Sequence, residues 1–324
     1  MSNASETLFA TTTPGLESVL AAEVQALGHT PTVVRGGVEW VAPSGGHRKA
    51  NLWLRTANCV SMRSGEGRKR GGRALSGSID TSGELLYRRG YRQEVSRAPM
   101  RETLAAGLLC LADYEPSRPL WDPMCGSGTF LIEAALLARG LPPGAMRKFA
   151  FEEWPSHDAR AWEEERASAV VQAKPLQSGL IWGSDINAGA LGTARRNAKR
   201  AGVLEALALF RADVQTLVPP RSGVAGAPPS GGLLITNLPY GRRLGKKENL
   251  EALYRSIWNG WHQNLPGWRA AFYVKDAALL EQVAQVPASR RFPVDNGGLH
   301  CTLLCWDQTT TVEIEKANAV MKQV

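Results

Sequence analysis

Four short stretches carry residue types whose spacing could do chemistry on an amine. The first is Leu120-Trp121-Asp122-Pro123-Met124-Cys125-Gly126-Ser127-Gly128-Thr129, an apolar run, a turn with two glycines and the start of an apolar helix pattern. Glycine serves where backbone must approach a ligand closely. An acid opening that turn favours a ligand with a cationic amino-acid tail over one with a pyrophosphate. In Gly183-Ser184-Asp185-Ile186 a carboxylate ends a strand, where it can accept both hydroxyls of a ribose or cap the next helix. In Arg211-Ala212-Asp213-Val214, Asp213 can accept from an adenine amino group or close a turn. The Gly turn and two acids at three successive strand ends describe S-adenosylmethionine better than NAD. The long stretch between Asp122 and Asp185 also departs from the ~20-residue spacing of dinucleotide sites.

The fourth stretch is Thr236-Asn237-Leu238-Pro239-Tyr240-Gly241. An exocyclic amine on a nucleobase is a poor nucleophile, because its lone pair is delocalised into the ring. Asn237 Oδ1 and the carbonyl of Leu238 can accept its two hydrogens and reduce that delocalisation. Pro239 stiffens the loop, and Tyr240 is placed to stack on the base. The bland alternative is an exposed Asn-Pro turn. Asn237 also lies beside the proposed cofactor, and no metal is required. Arg242 and Arg243, with Lys246 and Lys247, flank the target base and are placed for phosphate contact.

Other reactive residues have plainer readings. His157 and Asp158 lack a second histidine at ligand spacing, which favours capping or surface packing. Cys301 and Cys305 lie four apart in a strand, share a face and read as buried hydrophobes. Nothing adjacent in sequence would activate Cys125 as a thiolate. Most of the ten tryptophans read as core or rim packing.

These residues need a scaffold. Strands at Pro119–Asp122, Leu180–Asp185, Ala206–Arg211, Leu233–Asn237 and Ala270–Val274 alternate with helices at Glu102–Leu111, Gly128–Arg139, Ala188–Ala201, Leu250–Gln263 and Ala277–Val286. A hairpin, Phe292–Val294 with Cys301–Trp306, closes the pattern. The alternation predicts an α/β, mostly parallel, doubly wound sheet with an antiparallel end. Upstream, residues 8–62 read as a small α+β unit: a strand at 8–10, a helix face of Leu16, Val19, Leu20, Val24 and Leu27, strands at 31–34 and 37–41, and a helix starting at 51–57.

With 324 residues, 44% hydrophobic and 21% charged, the chain is long enough for a real core and is neither a disordered tail nor a fibre. Five cysteines without a CxxC pair exclude a disulfide framework or zinc ribbon. There is no apolar run of ~20 residues and no signal-peptide pattern, so a reducing, cytoplasmic setting is expected. The net charge of +8 admits a polyanionic partner. Residues 63 to 101 hold ten Arg/Lys against four acids, 10 − 4 = +6. Their first part, SGEGRKRGGRALSGS, reads as a flexible Gly/Ser linker or as a phosphate-contacting arm. The expected organisation is a unit at 1–62, a basic linker at 63–85 and a catalytic domain at 86–324.

Several stretches together carry a family resemblance: SGELLYRRGYR at 82–92, APMRETLAA at 98–106, Asp122–Glu133, FEEWPSHDARAW at 151–162, Ser184-Asp185, Asn237–Arg243 and NGGLHC at 296–301. In this order they resemble the THUMP-associated class I RNA methyltransferases that modify guanine N2 in ribosomal or transfer RNA, especially the bacterial large-subunit rRNA branch. LFATTTPGLESVLAAEV and LWLRTANCV resemble that family's ferredoxin-like start. The resemblance implies a Rossmann-like class I methyltransferase sheet, S-adenosylmethionine as donor and RNA as partner. It also implies Thr103 closing over the cofactor and Arg88, Arg89 and Arg92 beside the RNA. Two departures stand out. Leu238 replaces the usual Pro of the tetrapeptide, and only about 60 residues precede the basic linker where a full THUMP domain, on the order of 100 residues, is usual. The residues leave two alternatives open: a DNA adenine-N6 methyltransferase, which shares the tetrapeptide chemistry, and a non-catalytic RNA- or cofactor-binding protein.

Overall fold

A computed structural model describes residues 5–63, 68–70, 73–75, 77–93, 100–175, 179–219, 231–239 and 247–308. Packing divides the chain into two units. One gathers Met1–Gln93, Met100–Gly107 and Leu136–Pro175; the other gathers Glu94–Pro99, Leu108–Ala135 and Leu176–Val324. The expected linear boundary at 86 therefore does not coincide with a packing boundary.

The first unit begins with β1 (Ser5–Thr12), α1 (Glu17–Ala26), β2 (Thr32–Val34), β3 (Gly37–Pro43), α2 (Gly46–Trp53) and β4 (Ala57–Arg63). Alternation along β1 buries Leu8, Ala10 and Thr12, and α1 adds Leu20 and Val24 to the same core. The second helix ends at Trp53, earlier than expected, because Ala57 already opens β4. β5 (Arg68–Arg70), β6 (Arg73–Leu75) and β7 (Ser78–Asp80) follow. β5 pairs with β6, and β7 pairs with β4 to complete a sheet of order β2-β3-β1-β4-β7. The stretch read as a flexible linker thus contains strands; its remaining residues 64–67, 71–72 and 76 lie outside the described residues.

After α3 (Glu102–Leu111) and α4 (Thr129–Ala138), a short 3-10 turn at Ala150–Glu153 and α5 (Ala159–Val171) add to the first unit. The FEEWPSHD segment serves packing. Phe149 and Phe151 stack at 5.4 Å, Trp162 meets Phe151 edge-on at 5.0 Å, and Asp158 caps α5 by accepting from the Ala161 N–H. Arg147 donates to the carbonyls of Leu85 (2.7 Å), Ser82, Arg88 and Glu84, which ties down the segment before the second family-like stretch.

The second unit holds the α/β sheet. β8 (Leu120–Asp122), β9 (Ile181–Asp185), α6 (Ala188–Arg200), β10 (Leu207–Arg211), β11 (Leu233–Asn237), α7 (Lys247–Asn264), β12 (Arg269–Val274), α8 (Ala277–Ala284), β13 (Arg290–Asn296) and β14 (Leu299–Trp306) follow in chain order. The sheet order is β10-β9-β8-β11-β12-β14-β13, parallel through β12 and antiparallel for the closing hairpin, as the alternating periods predict. Its core includes Trp121, Leu234, Leu238, Tyr254, Trp261, Trp268, Phe272 and Trp306. Gly183 is needed in β9, since a Cβ there would lie 2.2 Å from Leu131 Cδ1 and 2.8 Å from Leu209 Cδ2. Helix α4 can therefore pack directly over the strand. The chain moves outward from β8 to β10 and then returns on the other side of β8 as β11. The carboxyl ends of β8 and β11 thus form the switch point where ligands bind in open α/β sheets.

Candidate active site

Register sets the site. Leu120 of β8 pairs with both Ile181 of β9 and Leu233 of β11. Asp185 and Asn237 each lie four residues beyond those partners, so they stand at one level on either side of β8. Strand spacing places their backbones about 10 Å apart. The turn that leaves β8 rises between them.

That turn is pinned by its own neighbours. Met124 N–H donates to Asp122 Oδ1 at 3.1 Å, Cys125 N–H to Ser184 O at 2.9 Å, and Gly128 N–H to Cys125 O at 2.8 Å. Ser184 Oγ accepts from Trp121 Nε1 at 3.1 Å and donates to Pro123 O at 3.4 Å. Asn197, fully buried on α6, donates from Nδ2 to Ser127 O at 3.2 Å. Both glycines sit at positive φ, +53° for Gly126 and +83° for Gly128. Their surroundings differ. A Cβ on Gly128 would press Ala194 of α6 at 3.1 Å, whereas a Cβ on Gly126 would meet nothing within 4 Å. Gly128 is thus a packing glycine, and Gly126 faces open space.

Asp185 does not cap the helix after it; that role falls to Asn187, whose side chain accepts from Gly189 and Ala190 N–H. Asp185 Oδ2 instead accepts from Gly126 N–H at 2.9 Å, and its Oδ1 accepts from Asn187 N–H at 2.8 Å. It therefore joins the β9 end to the Gly turn. Ile186 is 58% exposed beside it, an apolar surface at the rim. Asp213 accepts from Gln215 N–H at 2.9 Å, which gives it the turn reading, and Val214 is buried in the core. Thr129 is buried at the start of α4.

Asp122 is the unusual group. It is 3% exposed, and burial pushes its carboxyl up from 3.8 to about 7. The charge of Asp185 acts in the same direction, while the nearby Thr236 hydroxyl and Met124 N–H oppose it. Cys125 is also buried, and its thiol is pushed well up, first by burial and then by Asp122 and Asp185. It stays protonated and is no nucleophile.

On the other flank, Leu238 continues the ladder by donating its N–H to Tyr273 O at 2.9 Å, and its side chain is fully buried. The Pro239 carbonyl accepts from Tyr254 Oη on α7 at 3.0 Å. Asn237 Oδ1 is buried and has no hydrogen-bond partner among the described residues. Tyr240, Arg242 and Arg243 lie outside the described residues. Sequence reasoning missed Ser184, Asn197, Thr236 and Tyr254. The first three are ordinary strand and helix residues, and Tyr254 is separated from the loop it holds by a stretch with no motif.

Three expectations are corrected. Thr103 is fully buried, with its hydroxyl donated to Asn58 Oδ1 at 2.8 Å, so it is committed there rather than to a cofactor. Arg89 is 3% exposed and donates to the carbonyls of Leu86 (2.9 Å) and Arg55, which makes it a structural arginine. Arg92 pairs with buried Glu102 at 3.3 Å and donates to Met100 O. Of the three arginines at 88, 89 and 92, Arg88 is the exposed one, paired on the surface with Glu84 at 2.9 Å.

The chain is similar to known proteins over both units. It is 37% identical over 234 residues to a Synechocystis protein described as an RNA methyltransferase, covering 71% of this chain and 58% of that protein. It is 38% identical over 230 residues to the ribosomal RNA large subunit methyltransferase K/L of Shewanella baltica, covering 69% of this chain and 31% of that protein. The chain thus spans between 31% and 58% of the length of these curated relatives. A solved structure described as a methyltransferase complexed with SAH superposes with a TM-score of 0.82 at 26% identity, covering 94% of this chain and 98% of that one. The RlmL ferredoxin-like domain matches residues 7–61. The RMKL-like methyltransferase domain matches residues 89–304, two thirds of the chain, and the chain belongs to that family.

Proposed function

We propose that the chain transfers a methyl group from S-adenosylmethionine to the exocyclic N2 amine of a guanine in RNA. The residues fit such a cofactor. Asp122 is a desolvated carboxylate whose ionisation a ligand ammonium would favour, and Gly126 leaves room for close approach. The Asp185 carboxylate at the rim suits ribose hydroxyls. A protein of the same fold is described as complexed with SAH. The bound cofactor supplies an electrophilic methyl on a sulfonium.

The rest falls to the chain. Asn237 Oδ1 and the Leu238 carbonyl accept the two amine hydrogens, which turns the nitrogen lone pair out of conjugation and toward the methyl. As the N–C bond forms and the C–S bond breaks, the nitrogen gives up one proton to solvent. The turn at 123–128 and the Asn237 loop fix the approach, so positioning supplies much of the acceleration. Arg242 and Arg243 are proposed to hold flanking phosphates.

One observation carries this reading: a buried amide oxygen without a partner among the described residues stands level with Asp185 across the Gly turn. The test is tritium transfer to unmodified rRNA, tRNA and duplex DNA, followed by nucleoside digestion. The expected product is N2-methylguanine, with transfer lowered on the order of a hundredfold or more in Asn237→Ala. N6-methyladenine in DNA, or transfer that survives Asn237→Ala, would overturn it.

A further inference from the structure

Helix α6 carries a charge pattern that neither its own stability nor the proposed chemistry explains. From Ala188 to Arg211 the chain has Arg195, Arg196, Lys199, Arg200 and Arg211 against Glu205, a balance of 5 − 1 = +4. Leu191, Ala194, Asn197 and Ala198 form the buried face of α6, and Arg195, Arg196 and Lys199 are exposed on the other. The helix dipole accounts for cations in the last turn, at Lys199 and Arg200. It does not account for Arg195 and Arg196. These create two like-charge pairs at i,i+4 spacing, Arg195 with Lys199 and Arg196 with Arg200, an arrangement that destabilises a helix.

Two contacts orient Arg195 and Arg211 without neutralising them. Arg195 Nη2 donates to Leu209 O of β10 at 2.8 Å, and Arg211 Nε donates to Ile186 O at 3.0 Å; both acceptors are uncharged. Among the described residues no carboxylate pairs with Arg195, Lys199 or Arg211. β10 is the edge strand of the sheet, and Arg211 lies opposite Asp185 in register. The cations therefore form a stripe that starts at the rim of the candidate site and runs back along α6.

We propose that this stripe is a track for the phosphate backbone of the RNA substrate, reached by nucleotides flanking the methylated one. The repulsion left standing between Arg195 and Lys199 is relieved when phosphates lie across them, and each contact releases counterions. The assignment rests on the RNA reading above. It adds a surface on the methyltransferase unit, outside the basic 63–101 stretch.

The test uses the full chain and a labelled RNA transcript, with binding measured from low to moderate salt. Arg195→Gln/Lys199→Gln keeps good helix formers and leaves every cofactor-facing residue in place. Wild type is expected to bind RNA with a log–log salt dependence, and the double variant to lose about 1.4–1.8 from that slope, two phosphate contacts' worth. Unchanged SAH affinity by calorimetry shows that the variant is folded. An unchanged slope in a variant that still binds SAH overturns the track alone. Wild-type protein that binds no RNA, or prefers duplex DNA, overturns the substrate reading and the track with it.

Discussion

Titrating Asp122 separates a ligand-holding role from a structural one. Its carboxyl stands at about 7 against an ordinary 3.8, with burial as the leading cause. That rise, at ~1.4 kcal/mol for each tenfold change in the ionisation equilibrium, puts the cost of ionising it, without ligand, at about 4 kcal/mol. Between about pH 4 and pH 7 the folded chain keeps a proton that the unfolded chain has released. This group's contribution to stability is therefore full below that window, falls as pH rises through it, and is flat above. A ligand ammonium works the other way, because it favours the carboxylate. At about pH 6 some nine-tenths of Asp122 is protonated, so binding SAH should expel nearly one proton; at about pH 8 it should expel almost none. SAH affinity should rise about fivefold from pH 6 to 7 and then level off. Calorimetry in two buffers of different ionisation heat reads both quantities. Asp122→Asn should abolish proton release, weaken SAH binding and raise the melting temperature above pH 7 by several degrees. Flat affinity across this range with no buffer dependence, or wild-type affinity in Asp122→Asn, would refute the reasoning.

Two further outcomes follow from single contacts. Tyr254→Phe removes the donor to the Pro239 carbonyl; the maximal transfer rate should fall at least tenfold while SAH affinity holds, and hydrogen exchange should speed up in the Asn237 loop but not in Leu233–Thr236. Equal loss of rate and SAH affinity would make Tyr254 a general packing residue. Gly183→Ala places a Cβ 2.2 Å from Leu131 Cδ1, which should cost about 1–3 kcal/mol in urea unfolding; a variant as stable as wild type would show that α4 does not press on β9.

The sheet was legible because each strand is a short apolar run between helix-period segments, and the order of elements leaves few right-handed topologies. The placement of the Gly turn, Asp185 and Asn237 at strand ends was legible because the apolar runs that precede them mark where β8, β9 and β11 stop. Thr103, Arg89 and Arg92 were misplaced for a common reason. Residue type and motif neighbourhood say nothing about which buried acceptor a side chain satisfies, and here Asn58, Leu86, Arg55, Met100 and Glu102 supply long-range partners. The paired strands at 68–70 and 73–75 were missed because glycine and arginine suppress the alternation that marks a strand. The +4 balance over residues 188–211 was visible in the sequence, yet its meaning depends on β10 being an edge, which is a tertiary fact.

Buried polar groups are nearly always satisfied, so each exception needs a reason. Among the described residues several orphaned atoms are indole N–H groups, on Trp40, Trp162 and Trp306, or the phenol of Tyr114. There a large apolar ring gains enough by burial to carry one unmade hydrogen bond. Asn237 has no such compensation. Its side chain is small and polar, it ends a strand, and its oxygen is an acceptor without a donor among the described residues. Two strands of the same switch point therefore carry groups whose needs the described residues leave unmet: on β8 a carboxyl that cannot readily ionise, and on β11 an amide oxygen lacking a hydrogen. A cation answers the first and an amine the second. The reaction that joins an ammonium-bearing donor to a base amine brings both at once, so the two deficits are most economically explained as halves of one site.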